Sequence, residues 1–243
     1  MPLGRFKRGR THMVNFVTIE GKKYLVDVGF GVPGPTLPLP LDEHVEHSNI
    51  YPASARLVRG HIGPLVSRSD SQRLWIYQNR KNQPPPPSSP SEANRDEWHD
   101  IYAFSELEFI PADYESLTVA STFRRNSFFN YTIAAVRMIM AHEAPLISAN
   151  FREGSHVRAQ FERFVERRSS QANTDADDEI VGVMVLTTTE CKCTINGEKI
   201  VLKTFEKEED RLEALRIYFG IEFSESERAG VSESVVSFDR LQF

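Results

Sequence analysis

The chain has 243 residues, 40% of them apolar and 10% aromatic, which suffices for one large domain or two small ones with a substantial core. A formal charge of −5 speaks against nucleic acid as the main partner. Two cysteines, no apolar run near the roughly eighteen residues that span a bilayer, and no apolar segment behind the basic N-terminus speak against a disulfide-built secreted scaffold and a helical membrane protein; the expected setting is cytoplasmic, with no membrane partner.

The first predicted element is a β-hairpin. Thr11-His12-Met13-Val14-Asn15-Phe16-Val17-Thr18-Ile19 and Lys23-Tyr24-Leu25-Val26-Asp27-Val28-Gly29-Phe30-Gly31 are rich in β-branched and apolar residues and flank Glu20-Gly21, a hairpin signature. Pro33, Pro35, Pro38 and Pro40 follow as an extended connection with little strand capacity. Alternating runs at Ala55–Arg59 and Arg73–Tyr77 read as further strands of a small antiparallel sheet or barrel. Residues 83–97 carry Pro84 to Pro87 and then Ser88, Ser89, Pro90 and Ser91, a polyproline-type surface loop. Trp98–Phe104 resumes strand character.

Pro111-Ala112-Asp113-Tyr114-Glu115 reads as a helix start, with proline in the first turn and acids after it. Helical spacing returns over Arg158 to Arg168, with Phe161, Phe164 and Val165 on one stripe. Ser169 to Asp178 is polar and acidic and reads as a loop. Ile180–Leu186 is a buried-type strand. The run Thr189-Glu190-Cys191-Lys192-Cys193-Thr194-Ile195 leads into Asn196-Gly197, a strong hairpin-turn signal, and Ile200–Phe205 pairs back. Thr204 is the expected cap of a helix over 206–219 with Leu212, Leu215 and Phe219 inward, closed by Gly220. The expected fold class is α+β: a small antiparallel β-barrel or sheet domain over residues 1–105, then an α/β C-terminal domain over 106–243 with an insertion at about 141–179.

The hairpin holds the main chemical candidate. A two-residue turn places Ile19 opposite Lys22, and in that register Val14 lies opposite Asp27 and His12 opposite Gly29. His12 and Asp27 then share one face, a diagonal step of roughly 5–8 Å apart. An odd loop or a bulge breaks that parity. A buried Asp that accepts from one imidazole nitrogen fixes the tautomer, so the other nitrogen can take a proton from a thiol or hydroxyl. The alternative is a His–Asp bond that satisfies two half-buried polar groups and does nothing more.

Other candidates carry less. Cys191 and Cys193 sit two apart on one strand, point to one face, are poorly placed to bridge each other, and read as small buried apolar residues. Asp42-Glu43-His44-Val45-Glu46-His47 has metal-ligand residue types but lacks a helical frame for an i, i+4 pair, so no metal is expected. His61, His99, His142 and His156 have no partner visible in the sequence. Arg5, Lys7, Arg8 and Arg10 read as a solvated terminus or as an attraction for phosphates.

Gly9, Thr11-His12-Met13-Val14-Asn15, Tyr24-Leu25-Val26-Asp27-Val28-Gly29-Phe30-Gly31 and the Pro33–Leu41 tail together resemble the arylamine N-acetyltransferase family, in particular its fungal-type members. Trp98–Phe104 and Glu106-Leu107-Glu108-Phe109 with Asp113-Tyr114 resemble the family's link from barrel to a lid-like C-terminal domain, and Asn126-Ser127-Phe128-Phe129 resembles the Ser-x-Phe segment after it. The strand, hairpin and helix from Ile180 to Phe219 resemble its ending. The resemblance implies transfer of acetyl from acetyl-CoA to arylamines and arylhydrazines through a Cys-His-Asp triad, with acetyl-CoA as substrate and no resident cofactor. It implies His12 as the triad histidine and Asp27 as the triad aspartate, Phe30 and Thr11 on the substrate side, and Gly9 on the approach of CoA. The family's nucleophile lies in an Arg-Gly-Gly-x-Cys motif about forty residues ahead of the histidine. Only eleven residues precede His12 and none is Cys. The expectation is therefore a chain that begins inside the family's second domain, inactive by itself or reduced to an acyl-CoA or arylamine binding module.

Overall fold

The computed structural model describes residues 12–50, 53–63, 65–81, 98–122, 132–149, 151–169, 180–195, 198–233 and 237. The chain folds as two compact units, Met1–Val119 and Ala120–Phe243. Each is built from antiparallel strands and helices, an α+β fold.

The first unit opens with the hairpin of β1 (Asn15–Ile19) and β2 (Lys22–Val26), to which β3 (Leu39–Pro40) adds on the far side of β2. A second sheet follows, ordered β4 (His47–Ser48), β5 (Ala53–Gly60), β6 (Leu74–Lys81), β7 (His99–Phe104). Leu25 and Leu39 of the first sheet and Ala55, Leu57, Trp75, Tyr77, Tyr102 and Phe104 of the second form one buried cluster. Period-two alternation produces it, because Tyr77 pairs with Leu57 on one side and Tyr102 on the other and all three project from the same face. Helix α1 (Pro111–Thr122) starts at the expected proline, and Asp113 accepts the Ile110 N–H at 2.9 Å.

Of the expected barrel or sheet, the described residues show open antiparallel sheets, and none closes into a barrel. Closure needs edge strands that pair. The edges here include β3 and β4, two residues each, and β3 follows a segment whose prolines lack the N–H donors a ladder requires. One isolated parallel bridge, Glu43 to Leu57, joins the segment after β3 to β5. The proline-rich loop at 83–97, Asn126–Phe129 and the Asn196-Gly197 turn lie outside the described residues.

In the second unit β8 (Ala135–Met140), β9 (Ile180–Leu186), β10 (Glu190–Ile195) and β11 (Glu198–Thr204) make one antiparallel sheet in the order β11-β10-β9-β8. Strand β8 was not expected from the sequence. Helices α2 (Ala144–Ala149) and α3 (His156–Ser169) cover one core, where Phe161 meets Ile139, Val181, Met184, Cys193 and Ile195. Helix α4 (Glu208–Phe219) covers another with Leu212, Ala214 and Leu215 against Leu186 and Cys191, and α5 (Glu225–Glu233) follows.

Two local details correct or meet expectation in α4. Thr204 closes β11 and does not cap the helix. The N-cap position is Lys207 with no side-chain cap bond, and Asp210 instead accepts the Glu206 N–H at 3.1 Å. That bond, with Lys203 beside it, holds the Asp210 carboxyl below its ordinary range. At the other end Gly220 takes φ 68°, and its N–H and that of Ile221 reach back to Arg216 and Leu215, the left-handed ending that glycine favours. No helix among the described residues is long and apolar enough to cross a membrane.

Candidate active site

The site is built by the turn between β1 and β2. Glu20 and Gly21 take φ of 51° and 78°, the left-handed pair a type I′ hairpin turn requires. Pairing runs from Ile19↔Lys22 to Asn15↔Val26 without a bulge. His12 and Asp27 lie just beyond the last pair, and the same-face parity carries through. His12 Nε2 stands 2.7 Å from Asp27 Oδ2. A carboxylate only accepts, so Nε2 carries the proton and donates it.

Asp27 is sealed and His12 is not: their side chains are 1% and 28% exposed. The other carboxylate oxygen, Oδ1, accepts the backbone N–H groups of Gly29 and Phe30, both at 3.1 Å. Three donors thus converge on one buried acid, each bond strengthened by its charge. Among the described residues His12 Nδ1 has no hydrogen-bond partner. With Nε2 carrying the hydrogen, Nδ1 is the nitrogen that keeps a lone pair.

An aromatic wall supports the imidazole. Phe30 meets it edge-on at 5.1 Å and Tyr102 at 5.6 Å. Phe30 and Tyr102 lie 4.8 Å apart, and Tyr102 stacks on Tyr77 at 5.1 Å. Burial, then the neighbouring Asp27 charge, pushes the Tyr102 phenol well above its ordinary range, and burial does the same to Tyr77. Both hydroxyls therefore stay protonated at any physiological pH.

The glycines after Asp27 have separate duties. Gly31 takes φ 72° and turns the chain. Gly34 is held by closeness: a Cβ there would stand 2.6 Å from the Gly31 carbonyl oxygen and 3.1 Å from Phe30 Cβ. Gly29 has ordinary room, with a Cβ 3.8 Å from the His12 ring.

The structure thus brings His12, Asp27 and Phe30 together, while Gly9 and Thr11, with Arg5, Lys7, Arg8 and Arg10, lie outside the described residues. Cys191 and Cys193 belong to the second unit, are buried and unbridged, and burial pushes their thiols up to about 11 and about 12. Neither is a thiolate at neutral pH. Sequence reasoning missed Tyr77 and Tyr102 as parts of the site. Their period-two positions on β6 and β7 were the available signal, but nothing local says that this inward face meets His12.

Comparison with known proteins follows the same lines. A family model described as N-acetyltransferase matches residues 2–187. The N-malonyltransferase FDB2 of Fusarium pseudograminearum is 27% identical over 227 residues, covering 93% of this chain and 54% of the relative. The chain thus spans about half the length of the curated relatives it matches. Among solved structures, the arylamine N-acetyltransferase from Mycobacterium abscessus shares the fold with a TM-score of 0.62 at 17% identity, over 99% of this chain and 63% of that one. The Mycobacterium marinum arylamine N-acetyltransferase in complex with CoA does so with 0.55 at 21% identity, over 98% and 60%. With a family model over three quarters of its length and the fold shared throughout, this chain belongs to the arylamine N-acetyltransferase family of acyltransferases.

Proposed function

We propose that this chain supplies the His–Asp half of a Cys-His-Asp relay that moves an acyl group from acyl-CoA to an arylamine or arylhydrazine nitrogen. The observation that carries the reading is the 2.7 Å contact of half-exposed His12 with fully buried Asp27, which leaves Nδ1 as the base. In this reading Nδ1 takes the proton of a cysteine thiol, and the thiolate attacks the acyl-CoA carbonyl and expels CoA. The amine then attacks the enzyme thioester and regenerates the thiol. Asp27 orients the ring and stabilises the imidazolium. The family resemblance assigns Phe30 and Thr11 to the acceptor and Gly9 to CoA, and the basic charge of Arg5, Lys7, Arg8 and Arg10 suits the phosphates of CoA. Acetyl-CoA is the proposed donor, with malonyl-CoA as the competitor that the relatives' name brings forward.

The thiol comes from outside these 243 residues, because both cysteines present are buried in the second unit with raised pKa values. The same observation favours a second reading, in which the chain binds acyl-CoA or arylamine without turnover. The test follows CoA release from acetyl-CoA and malonyl-CoA in the presence of an arylamine. It compares the chain alone with the chain joined behind the Arg-Gly-Gly-x-Cys segment of a solved relative. The expected result is no turnover above background for the chain alone, unchanged by His12→Gln, and turnover by the joined polypeptide that His12→Gln lowers by about 10²–10⁴. A chain that turns over alone and loses this with His12→Gln refutes the external thiol. A joined polypeptide that is active and indifferent to His12→Gln refutes the relay. Binding by both forms with turnover by neither selects the second reading.

A further inference from the structure

Residues 27–34 leave the site as a loop held at two ends. One hold is already described: Asp27 Oδ1 accepts the N–H of Gly29 and Phe30. The other comes from the second sheet. Asn49, 8% exposed, donates from one amide nitrogen to the Gly34 carbonyl at 3.2 Å and to the Tyr77 hydroxyl at 2.9 Å. The Tyr77 hydroxyl, wholly buried, donates in turn to the Pro33 carbonyl at 3.1 Å. Two consecutive loop carbonyls are thus satisfied by side chains of the second sheet and of the link between its strands β4 and β5.

The clamp reaches the imidazole through packing. Gly34 lies so close to Phe30 that an added Cβ would stand 3.1 Å from Phe30 Cβ and 3.3 Å from its ring. Its N–H closes on Gly31 O at 2.6 Å. Gly34 cannot shift without moving Phe30, and Phe30 is the edge against which the His12 ring rests. Loss of the clamp leaves the carbonyls of part-buried Pro33 and buried Gly34 without these donors, which favours a displaced loop.

We infer that Asn49 and Tyr77 are positioning residues: by holding the Pro33 and Gly34 carbonyls they fix the Phe30 ring against His12. Their relevance to acyl transfer rests on the reading above, but the geometric statement does not, and its test needs no turnover.

The measurement is the set of nuclear Overhauser contacts between the His12 and Phe30 rings in the full chain, with selectively labelled His and Phe. Tyr77→Phe removes one oxygen and keeps the stack on Tyr102. Asn49→Ala removes both amide donations. Gln78→Ala serves as the control, because Gln78 faces the other side of β6 and bonds Arg56 and Asp100. The ring contacts are expected to be lost in Tyr77→Phe and in Asn49→Ala, and kept in Gln78→Ala. Should Asn49→Ala fail to fold, Tyr77→Phe decides alone. Retention of the His12–Phe30 contacts in a folded Tyr77→Phe chain overturns the proposal, whatever the chain does to acyl-CoA.

Discussion

Asp27 is where the chemistry is most constrained. Its carboxylate accepts from His12 Nε2, Gly29 N and Phe30 N while almost wholly buried. An amide in its place keeps one acceptor oxygen for the two backbone donors but presents N–H groups to a ring nitrogen that also carries hydrogen. The ring must then move its proton to Nδ1 or lose the contact. Asp27→Asn is therefore expected to switch the neutral His12 from the Nε2–H to the Nδ1–H tautomer, read from its ring nitrogens in a long-range ¹⁵N correlation spectrum. Urea unfolding should report about 1–2 kcal/mol less stability, the worth of a lost charge-assisted bond. An unchanged tautomer would mean that Asp27 does not orient the ring. The meeting of His12 with Asp27 was legible in the sequence because one short turn brings them together, whereas Phe30 entered only through the family resemblance. Asn49, Tyr77 and Tyr102 were not. Asn49 meets the Tyr77 hydroxyl 28 positions along the chain, and Tyr77 meets Pro33 44 positions back. No spacing rule spans such gaps.

Between elements, Glu106 is the main polar tie in the first unit. It follows β7, accepts the Trp75 indole N–H of β6 at 2.9 Å, and pairs with Lys23 of β2 at 3.1 Å and Arg59 of β5 at 3.3 Å. These partners, the Trp75 bond first, hold its carboxyl below the ordinary range. A depressed folded pKa contributes stability that is present above the unfolded value near 4.3 and lost as pH falls through the folded one. Glu106→Gln should cost about 0.5–1 kcal/mol at pH 7, discounted because the side chain is more than a third exposed. The deficit should shrink as the medium is acidified below pH 4, checked by urea midpoints across pH. A deficit that stays constant in acid would assign the cost to packing instead. Elements whose pattern is self-contained were legible at this scale. The β1–β2 register, α1 starting at Pro111, the strand over Ile180–Leu186 and the Gly220 ending all follow from local residues. Strand β8 was not, since Ala135-Val136-Arg137-Met138-Ile139-Met140 has neither clean alternation nor flanking turn markers. Its position is set by β9 and by Arg137, which donates to the Tyr218 carbonyl at 3.1 Å and pairs with Glu143.

At the scale of the molecule, the α+β class was readable from the order of strands and helices, whereas sheet closure was not, because it depends on whether edge strands as short as β3 and β4 pair on their outer sides as well. The second unit offers its own test. Cys191 and Cys193 are buried, and their thiols are raised to about 11 and about 12. They should resist a thiol reagent at pH 8 in the native chain and react together once urea unfolds it. Groups raised in this way add stability that is whole below the unfolded thiol value near 8.5 and fades as pH climbs toward the folded values. Alkaline titration of the unfolding midpoint should therefore fall off above pH 9. Prompt reaction of one thiol in folded protein would contradict the burial. The two sulfurs, though only two residues apart, face different company: Cys193 sits with Phe161 and Ile139, Cys191 with Leu212 and Leu215. Both thiols lie on one face of β10, along which the two clusters adjoin, and Tyr218 and Phe219 pack against both. Side chains held in common couple the two clusters, so a truncation at Tyr218 is felt in both at once.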